Sequence, residues 1–197
     1  MFSSSQPKKI YVLLGHPDAD TVCGTLANVY EEAARLAGHE VRRANIGELK
    51  FDPVLHLGYK TIQNLEPDLV KVQEDIKWAD HIMLIYPMWW SCMPAILKGL
   101  FDRMWLPGFA YHFNHNHMGW HKLLKGKSAR VIITMDSWPT VSRILFGDST
   151  NEISRAILWF SGIHPVRLKK IGNVKNLTDE KKQRWADKVA KWAAKAR

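Results

Sequence analysis

Short, continuous runs of apolar residues recur along the chain and alternate with longer amphipathic stretches. The runs at residues 8–15, 81–86 and 128–135 are apolar at nearly every position, which is typical of strands buried on both faces. Residues 40–46 form a weaker, more polar run, and residues 166–171 form a fifth. The pattern therefore predicts five strands.

Between these runs, apolar residues recur every three or four positions, the period of a helix that packs on one side. This spacing predicts helices over residues 21–37, 68–78, 94–104 and 150–160, and a last helix capped by Thr178. Residues 47–67 and 105–125, and a segment holding Pro139 and Gly147, are predicted to be loops. Apolar strands that alternate with helices form a parallel sheet covered on both faces. We expect one doubly wound α/β domain over residues 1–197.

The composition limits the cellular locations and the classes of binding partner that are expected. Hydrophobic residues make up 46% and charged residues 24% of the chain, as in a globular protein. No apolar run approaches the roughly 20 residues that span a bilayer, and residues 1–9 lack the apolar stretch of a secretory signal. A cytoplasmic location without membrane insertion is expected. The net charge of +9 comes from scattered basic residues, densest on one face of the amphipathic last helix, so nucleic-acid binding is not expected.

In open α/β sheets, ligands bind beyond the carboxyl ends of the strands, where the strand order reverses. This rule selects the loops at residues 15–23, 87–93 and 135–147. The first runs directly into a predicted helix, whose free amides favour a phosphate, with His16 and Thr21 as further donors. The alternative is that Asp20 or Thr21 merely caps the helix. The loop is neither a Walker sequence nor GxGxxG.

The second loop places Met88, Trp89 and Trp90 directly after a buried strand, where a chain entering solvent is usually polar. These side chains suggest a flat aromatic ligand; the alternative is that the indoles fill the core or a subunit interface. The third loop adds Asp136 and Ser137 as polar contacts, a weaker signal.

Other reactive side chains give no clear site. Cys23 and Cys92 are expected to be free thiols, because cytosolic disulfides are rare, and neither has a neighbouring histidine that would activate it as a nucleophile. Four histidines in the aromatic-rich loop match no recognised metal spacing, so an incidental surface cluster is favoured over zinc or copper: His112, His115, His117 and His121.

The run YPMWWSCMPAILKGLFDRMWLPGFAY, at residues 86–111, resembles the signature of the NAD(P)H:quinone oxidoreductases with a flavodoxin-like fold. Order and spacing agree over about residues 8–172. The resemblance implies a flavodoxin-like three-layer sandwich and a homodimer with a flavin near the dimer interface. It also implies ping-pong transfer of a hydride from NADPH or NADH to the flavin, and then to a quinone or a similar small electrophile such as an azo or nitro compound.

Carried over by position, the resemblance assigns twelve residues to the cofactor: His16, Thr21, Val22, Cys23, Pro87, Met88, Trp89, Trp90, Thr134, Met135, Asp136 and Ser137. It assigns Trp90, Tyr111 and Phe113 to the pocket for nicotinamide and acceptor.

The chain also departs from the family pattern. Val22 and Cys23 stand where many members have Phe-Asn, and residues 135–137 stand where mammalian-type members have Thr-Gly-Gly, with no Tyr or His before Gly147. The resemblance therefore names no catalytic side chain. The chain lacks the long C-terminal extension of those members, which favours FMN over FAD. An alternative function is a flavin-binding ancillary subunit of a potassium efflux system. A flavodoxin-like electron carrier is disfavoured, because flavodoxins are usually acidic.

Overall fold

Five parallel strands form the centre of the protein in a computed structural model that describes residues 6–114 and 118–197. The seven strands of the described residues are β1 (Lys9–Leu14), β2 (Glu40–Asn45), β3 (His81–Pro87), β4 (Tyr111–Phe113), β5 (Trp120–Lys122), β6 (Ser128–Thr134) and β7 (Val166–Ile171). The main sheet has the order β2-β1-β3-β6-β7, and all its pairs are parallel. The winding direction reverses between β1 and β3, which confirms the expected flavodoxin-like topology.

Helices cover both faces of this sheet. They are α1 (Val22–Leu36), α2 (Pro67–Trp78), α3 (Ala95–Met104), α4 (Pro139–Phe146), a π-helix (Glu152–Trp159) and α5 (Asp179–Ala193). Alternate residues of β1 enter two separate cores. Ile10, Val12 and Leu14 pack with α1 and α5, whereas Tyr11 and Leu13 pack with α2, α3 and the π-helix. The strand is apolar throughout because both of its faces are buried.

Thr21 and Thr178 begin their helices as their position predicts. The Thr21 hydroxyl accepts a hydrogen bond from the Gly24 amide at 3.3 Å, and the Thr178 hydroxyl accepts one from the Lys181 amide at 3.4 Å. Each side chain satisfies a first-turn N–H that has no carbonyl partner within the helix.

Two segments predicted to be loops contain regular secondary structure, and those predictions were wrong. Residues 105–125 contain a short antiparallel hairpin of β4 and β5. The segment after β6 contains α4, with Pro139 in its first turn and Gly147 at its end. Val141, Ile144 and Leu145 of α4 have the spacing of a helix but are exposed, and Ser142 is the one buried residue of α4. The prediction was wrong because Pro139 and Gly147, which are loop signals in the sequence, begin and end the helix. The helix predicted over residues 150–160 is instead the wider π-helix.

The long connection after β2 is held by a buried arginine. The Arg103 guanidinium, on α3, donates to a Glu66 carboxylate oxygen at 2.9 Å and to the Asn64 carbonyl at 2.8 Å, and it also contacts the Asp52 carbonyl. Next to it, a Cβ on Gly99 would lie 2.5 Å from the Pro53 carbonyl oxygen, so α3 and this connection touch backbone to backbone. The segment is therefore ordered without forming a regular element of its own beyond short turns.

None of the helices within residues 6–114 and 118–197 combines the length and apolar character that crossing a membrane requires.

Candidate functional site

The loops that follow β1, β3 and β6 meet at the carboxyl edge of the sheet around a cavity of about 440 Å³. This cavity, called the edge cavity below, is lined by His16, Thr21, Val22, Cys23, Pro87, Met88, Trp89, Thr134, Met135, Asp136, Val174, Lys175 and Lys182. Ten of the twelve cofactor residues assigned from the sequence are in this lining. The structure thus brings together residues that are more than one hundred positions apart in the chain.

One end of the edge cavity is the first turn of α1. The amides of Val22 and Cys23 are in that turn, where the helix offers them no carbonyl, so they can donate to an anion. The Nδ1 atom of His16 accepts a hydrogen bond from the Asp18 amide at 2.9 Å, so Nε2 of this ring carries the proton and is a further donor. The loop therefore both caps its helix and presents a set of donors, and the two interpretations of Thr21 are compatible.

Close backbone packing holds this loop in place. A Cβ on Gly24 would lie 1.8 Å from the Ala19 carbonyl oxygen, and a Cβ on Gly47 would lie 1.8 Å from the Pro17 carbonyl oxygen. Only glycine allows such approaches, so the loop is wedged between α1 and the turn after β2.

The second loop forms the apolar wall. The amide of Met88 donates to the Thr134 carbonyl at 2.7 Å, which ties the second loop to the third. Trp89 and Cys92 exchange two backbone hydrogen bonds of 2.9 Å, and the two residues between them, Trp90 and Ser91, have φ of 51° and 59°. These values are those of a two-residue reverse turn with both central residues left-handed.

The turn leaves both indoles accessible. Trp89 is 45% exposed and stands edge-on to the His16 ring at a centroid distance of 5.6 Å, whereas Trp90 is fully exposed. The interpretation that the two indoles fill the core of the chain is therefore wrong, and the ligand and subunit-interface interpretations stand. Trp90 does not line the edge cavity.

The third loop closes the cavity from β6. The Cys23 Sγ and the Thr134 Oγ1 are 3.1 Å apart and buried, and burial raises the pKa of the Cys23 thiol to about 11. Cys23 is thus a neutral thiol at physiological pH, and it lines the cavity without acting as a nucleophile. Asp136 pairs with Lys175, with 2.7 Å between the carboxylate oxygen and Nζ.

A second cavity of about 600 Å³ adjoins the first and shares Met88, Met135 and Asp136 with it. Trp90 and Ser137, the two remaining residues of the assigned cofactor set, line this second cavity together with Ser91, Ser142 and Phe146. The site therefore has two compartments, one at the α1 amides and one between the Trp90 turn and α4.

Tyr111 and Phe113 line neither cavity. They pack on each other with a centroid distance of 5.1 Å, and Tyr111 packs on Phe160 at 5.2 Å. Within one chain the structure does not bring these rings to the sheet edge, and their assignment to the substrate pocket stays a prediction.

The histidine cluster shows no metal centre in its described part. His112 and His121 are opposite each other on the β4–β5 hairpin and are exposed, while His115 and His117 lie outside the described residues. Over residues 6–114 and 118–197, no three His, Cys, Asp or Glu side chains are placed to hold a metal ion. Of the two free thiols, Cys23 is buried and Cys92 exposed.

Sequence reasoning missed Val174, Lys175 and Lys182, which reach the edge cavity from beyond β7. Lys182 belongs to the basic face of the last helix that was interpreted as solvated, whereas Lys175 lies in the short turn before that helix and was assigned no role. The available signal was the position of Thr178, because a helix that begins shortly after a strand places its first turn at that strand's carboxyl end.

The donor set and the wall together define what the site can bind. Uncharged N–H donors and helix-terminus amides suit a phosphate, and the wall of Pro87, Met88, Trp89 and Met135 suits a flat ring system. A phosphorylated flavin combines both features, so the residues present fit that group.

Comparisons with known proteins identify the fold family of the chain. A family model described as a flavodoxin-like fold matches residues 8–196. An uncharacterised NAD(P)H oxidoreductase of Haemophilus influenzae is 34% identical over 133 residues, which cover 64% of this chain and 63% of that protein. The chain spans between 58% and 66% of the length of three curated relatives that it matches.

Two solved structures show the same fold. An NAD(P)H:quinone oxidoreductase from Methanothermobacter marburgensis aligns with a TM-score of 0.79 at 20% identity, covering 97% of this chain and 100% of that one. An FMN-dependent NADH-azoreductase from Bacillus anthracis, solved in complex with FMN, aligns with a TM-score of 0.71 at 16% identity, covering 94% and 97%.

Proposed function

The chain belongs to the flavodoxin-like fold family, and from this premise we propose that it is a flavin-dependent NAD(P)H oxidoreductase that reduces quinones. The observation that carries the proposal is the edge cavity, where the α1 amides and a wall of apolar and aromatic side chains face the same space at the point of strand reversal. The reported relatives named as oxidoreductases favour this enzyme over the ancillary subunit of a potassium efflux system.

The proposed cofactor is FMN rather than FAD. Its phosphate is assigned to the first turn of α1, with Thr21, Val22, Cys23 and the His16 ring as donors. Its ring is assigned to the wall of Pro87, Met88 and Trp89 on one side and the third loop, residues 134–137, on the other. The FMN-bound azoreductase of the same fold supports a flavin in this family.

When bound, the flavin supplies the redox chemistry by accepting a hydride from NADPH or NADH and passing two electrons to the acceptor in a ping-pong cycle. The chain's own residues bind and orient. The neutral Cys23 thiol and Thr134 form a buried wall that excludes water from the inner end of the cavity. The second cavity, beside Trp90 and Phe146, is the proposed pocket for quinones and for azo or nitro compounds.

We further propose a cytoplasmic homodimer. Exposed apolar side chains concentrate on and beside α4, at Trp90, Trp138, Val141, Ile144, Leu145 and Phe146. A second copy of the chain would cover such a surface, and in a dimer Tyr111 and Phe113 could reach the cavity of the other subunit.

Initial rates measured over a matrix of NADPH and menadione concentrations test the proposal. Parallel double-reciprocal lines, with turnover that requires flavin, are expected. Trp89→Ala should weaken flavin binding, whereas Trp192→Ala should not, because Trp192 stacks on Arg130 with 4.2 Å between guanidinium carbon and ring centroid and does not line the cavity. Intersecting lines would contradict the ping-pong cycle, and menadione reduction independent of flavin would contradict the function.

A further inference from the structure

Two lysines from beyond β7 lie on the rim of the edge cavity, and they differ in charge balance. Lys175 is paired with Asp136 at 2.7 Å, and that carboxylate lines the same cavity, so the pair adds no net charge to it. Lys182 is paired with Asp179 at 2.9 Å, but Asp179 is outside the lining and its side chain is 97% exposed. Of the two lysines that line the edge cavity, Lys182 is therefore the one whose counterion lies outside the cavity.

The position of Lys182 is set by its hydrocarbon stem. The residue also lines a crevice between α1 and α5, together with Val22, Leu26, Leu177 and Trp185. Val22 belongs to both the crevice and the edge cavity, so the lysine lies beside the first turn of α1. A stem packed in an apolar crevice directs the ammonium group toward the open end.

The present partner of Lys182 holds it weakly. The pair with Asp179 joins residues three apart on a helix surface, and both side chains are at least half exposed. Such pairs contribute little because water and salt screen them. The ammonium group can therefore exchange Asp179 for a stronger anion in the cavity.

We propose that Lys182 is a specificity-determining residue that selects a phosphorylated flavin by pairing its ammonium group with the phosphate at the first turn of α1. The inference rests on the proposed function and names the group that distinguishes FMN from riboflavin. A phosphate monoester carries about two negative charges at neutral pH, while a helix N-terminus supplies about half a positive charge. Lys182 supplies a full positive charge in addition.

Equilibrium titrations of the full-length chain, freed of flavin, test this with FMN and riboflavin as probes and flavin fluorescence as the readout. Lys182→Ala should weaken FMN binding about tenfold, the effect of losing one charge-assisted hydrogen bond. Riboflavin binding should be unchanged, and Lys182→Arg should retain most of the FMN affinity. Lys181→Ala, next in sequence and absent from the lining, is the matched control. Raising the salt concentration should weaken FMN binding more for the wild type than for Lys182→Ala.

Three results would overturn the inference in distinguishable ways. If the wild type binds FMN and Lys182→Ala binds it equally well, the inference fails and the proposed function stands. If Lys182→Ala weakens riboflavin binding as much as FMN binding, the lysine has only a structural role. If the wild type binds neither flavin, the inference and the proposed function fail together.

Discussion

Gly24 makes a close backbone contact with the loop after β1, and Gly24→Ala gives a test in which two effects on stability have opposite signs. Alanine has a higher helix propensity than glycine by about 0.8–1.0 kcal/mol, so propensity alone predicts stabilisation. The new Cβ, however, would lie 1.8 Å from the Ala19 carbonyl oxygen, where ordinary contact begins at 3.4 Å. Loop and helix must therefore separate by about 1.6 Å, the difference between these distances.

This separation moves backbone, not a flexible side chain, so the cost is at the upper end of the usual overpacking range of about 1–3 kcal/mol. After the gain in propensity is subtracted, the variant should be less stable by about 2 kcal/mol. For a chain of this size that lowers Tm by about 4–8 °C. The Thr21 cap and the Val22 and Cys23 amides move with the loop, so FMN affinity should fall at least tenfold.

Differential scanning calorimetry on the flavin-free chain and FMN titration by fluorescence would measure the two effects. Glu32→Ala, an exposed position on the same helix, is the control and should change neither quantity measurably. A Gly24→Ala variant as stable as the wild type, or more stable, would show that propensity dominates and that the loop is not wedged against α1.

Burial lowers the pKa of His81 from 6.5 to about 3, so below pH 6.5 the unfolded chain gains a proton that the folded chain excludes. The contribution of neutral His81 to the free energy of unfolding is therefore fully present above pH 6.5, and it falls by about 1.4 kcal/mol per pH unit toward pH 3. Urea unfolding at pH 7 and pH 5 should show a smaller pH dependence for His81→Asn than for the wild type. Arg103→Met, which removes a side chain that is 0% exposed, should destabilise by about 3 kcal/mol in the same assay, against less than about 1 kcal/mol for Lys98→Ala in an exposed pair; equal losses would contradict the account of the buried arginine. Ellman's reagent at pH 8 should modify the exposed Cys92 in the native protein and Cys23 only after unfolding, and rapid modification of both would contradict the burial of Cys23.

The architecture could be predicted because each buried strand carries a strong local signal. The apolar runs of β1, β3 and β6 are continuous since both faces of the sheet are covered, and alternation with helices then implies parallel pairing. The apolar spacing of residues 150–160 predicted a helix there but not its π-helical form, and α4 was not predicted. The α4 segment carries Val141, Ile144 and Leu145 at helical spacing, but Pro139 and Gly147 on either side favoured a loop, and the exposure of these apolar side chains could not be predicted from the sequence.

Site residues could be predicted where they lie on a loop that directly follows a strand. They could not be predicted where a helix from another part of the chain contributes them. His16, Trp89 and Asp136 come immediately after β1, β3 and β6, and the topology places them at one edge. Lys182 reaches the same edge from α5, which requires knowing how that helix lies on α1. Tyr111 was assigned through a family signature, and the fold of a single chain places it against Phe160 instead.

The central claim is that the edge cavity holds a flavin that NAD(P)H reduces. The most direct test is the visible absorption spectrum of the purified full-length protein, supplied with FMN, before and after NADPH is added without oxygen, and then with NADH. The account predicts flavin bands in the protein fraction that bleach on addition of one of these nucleotides and return when menadione is added. A protein that stays colourless after incubation with FMN and with FAD, or flavin bands that neither nucleotide bleaches, would contradict it.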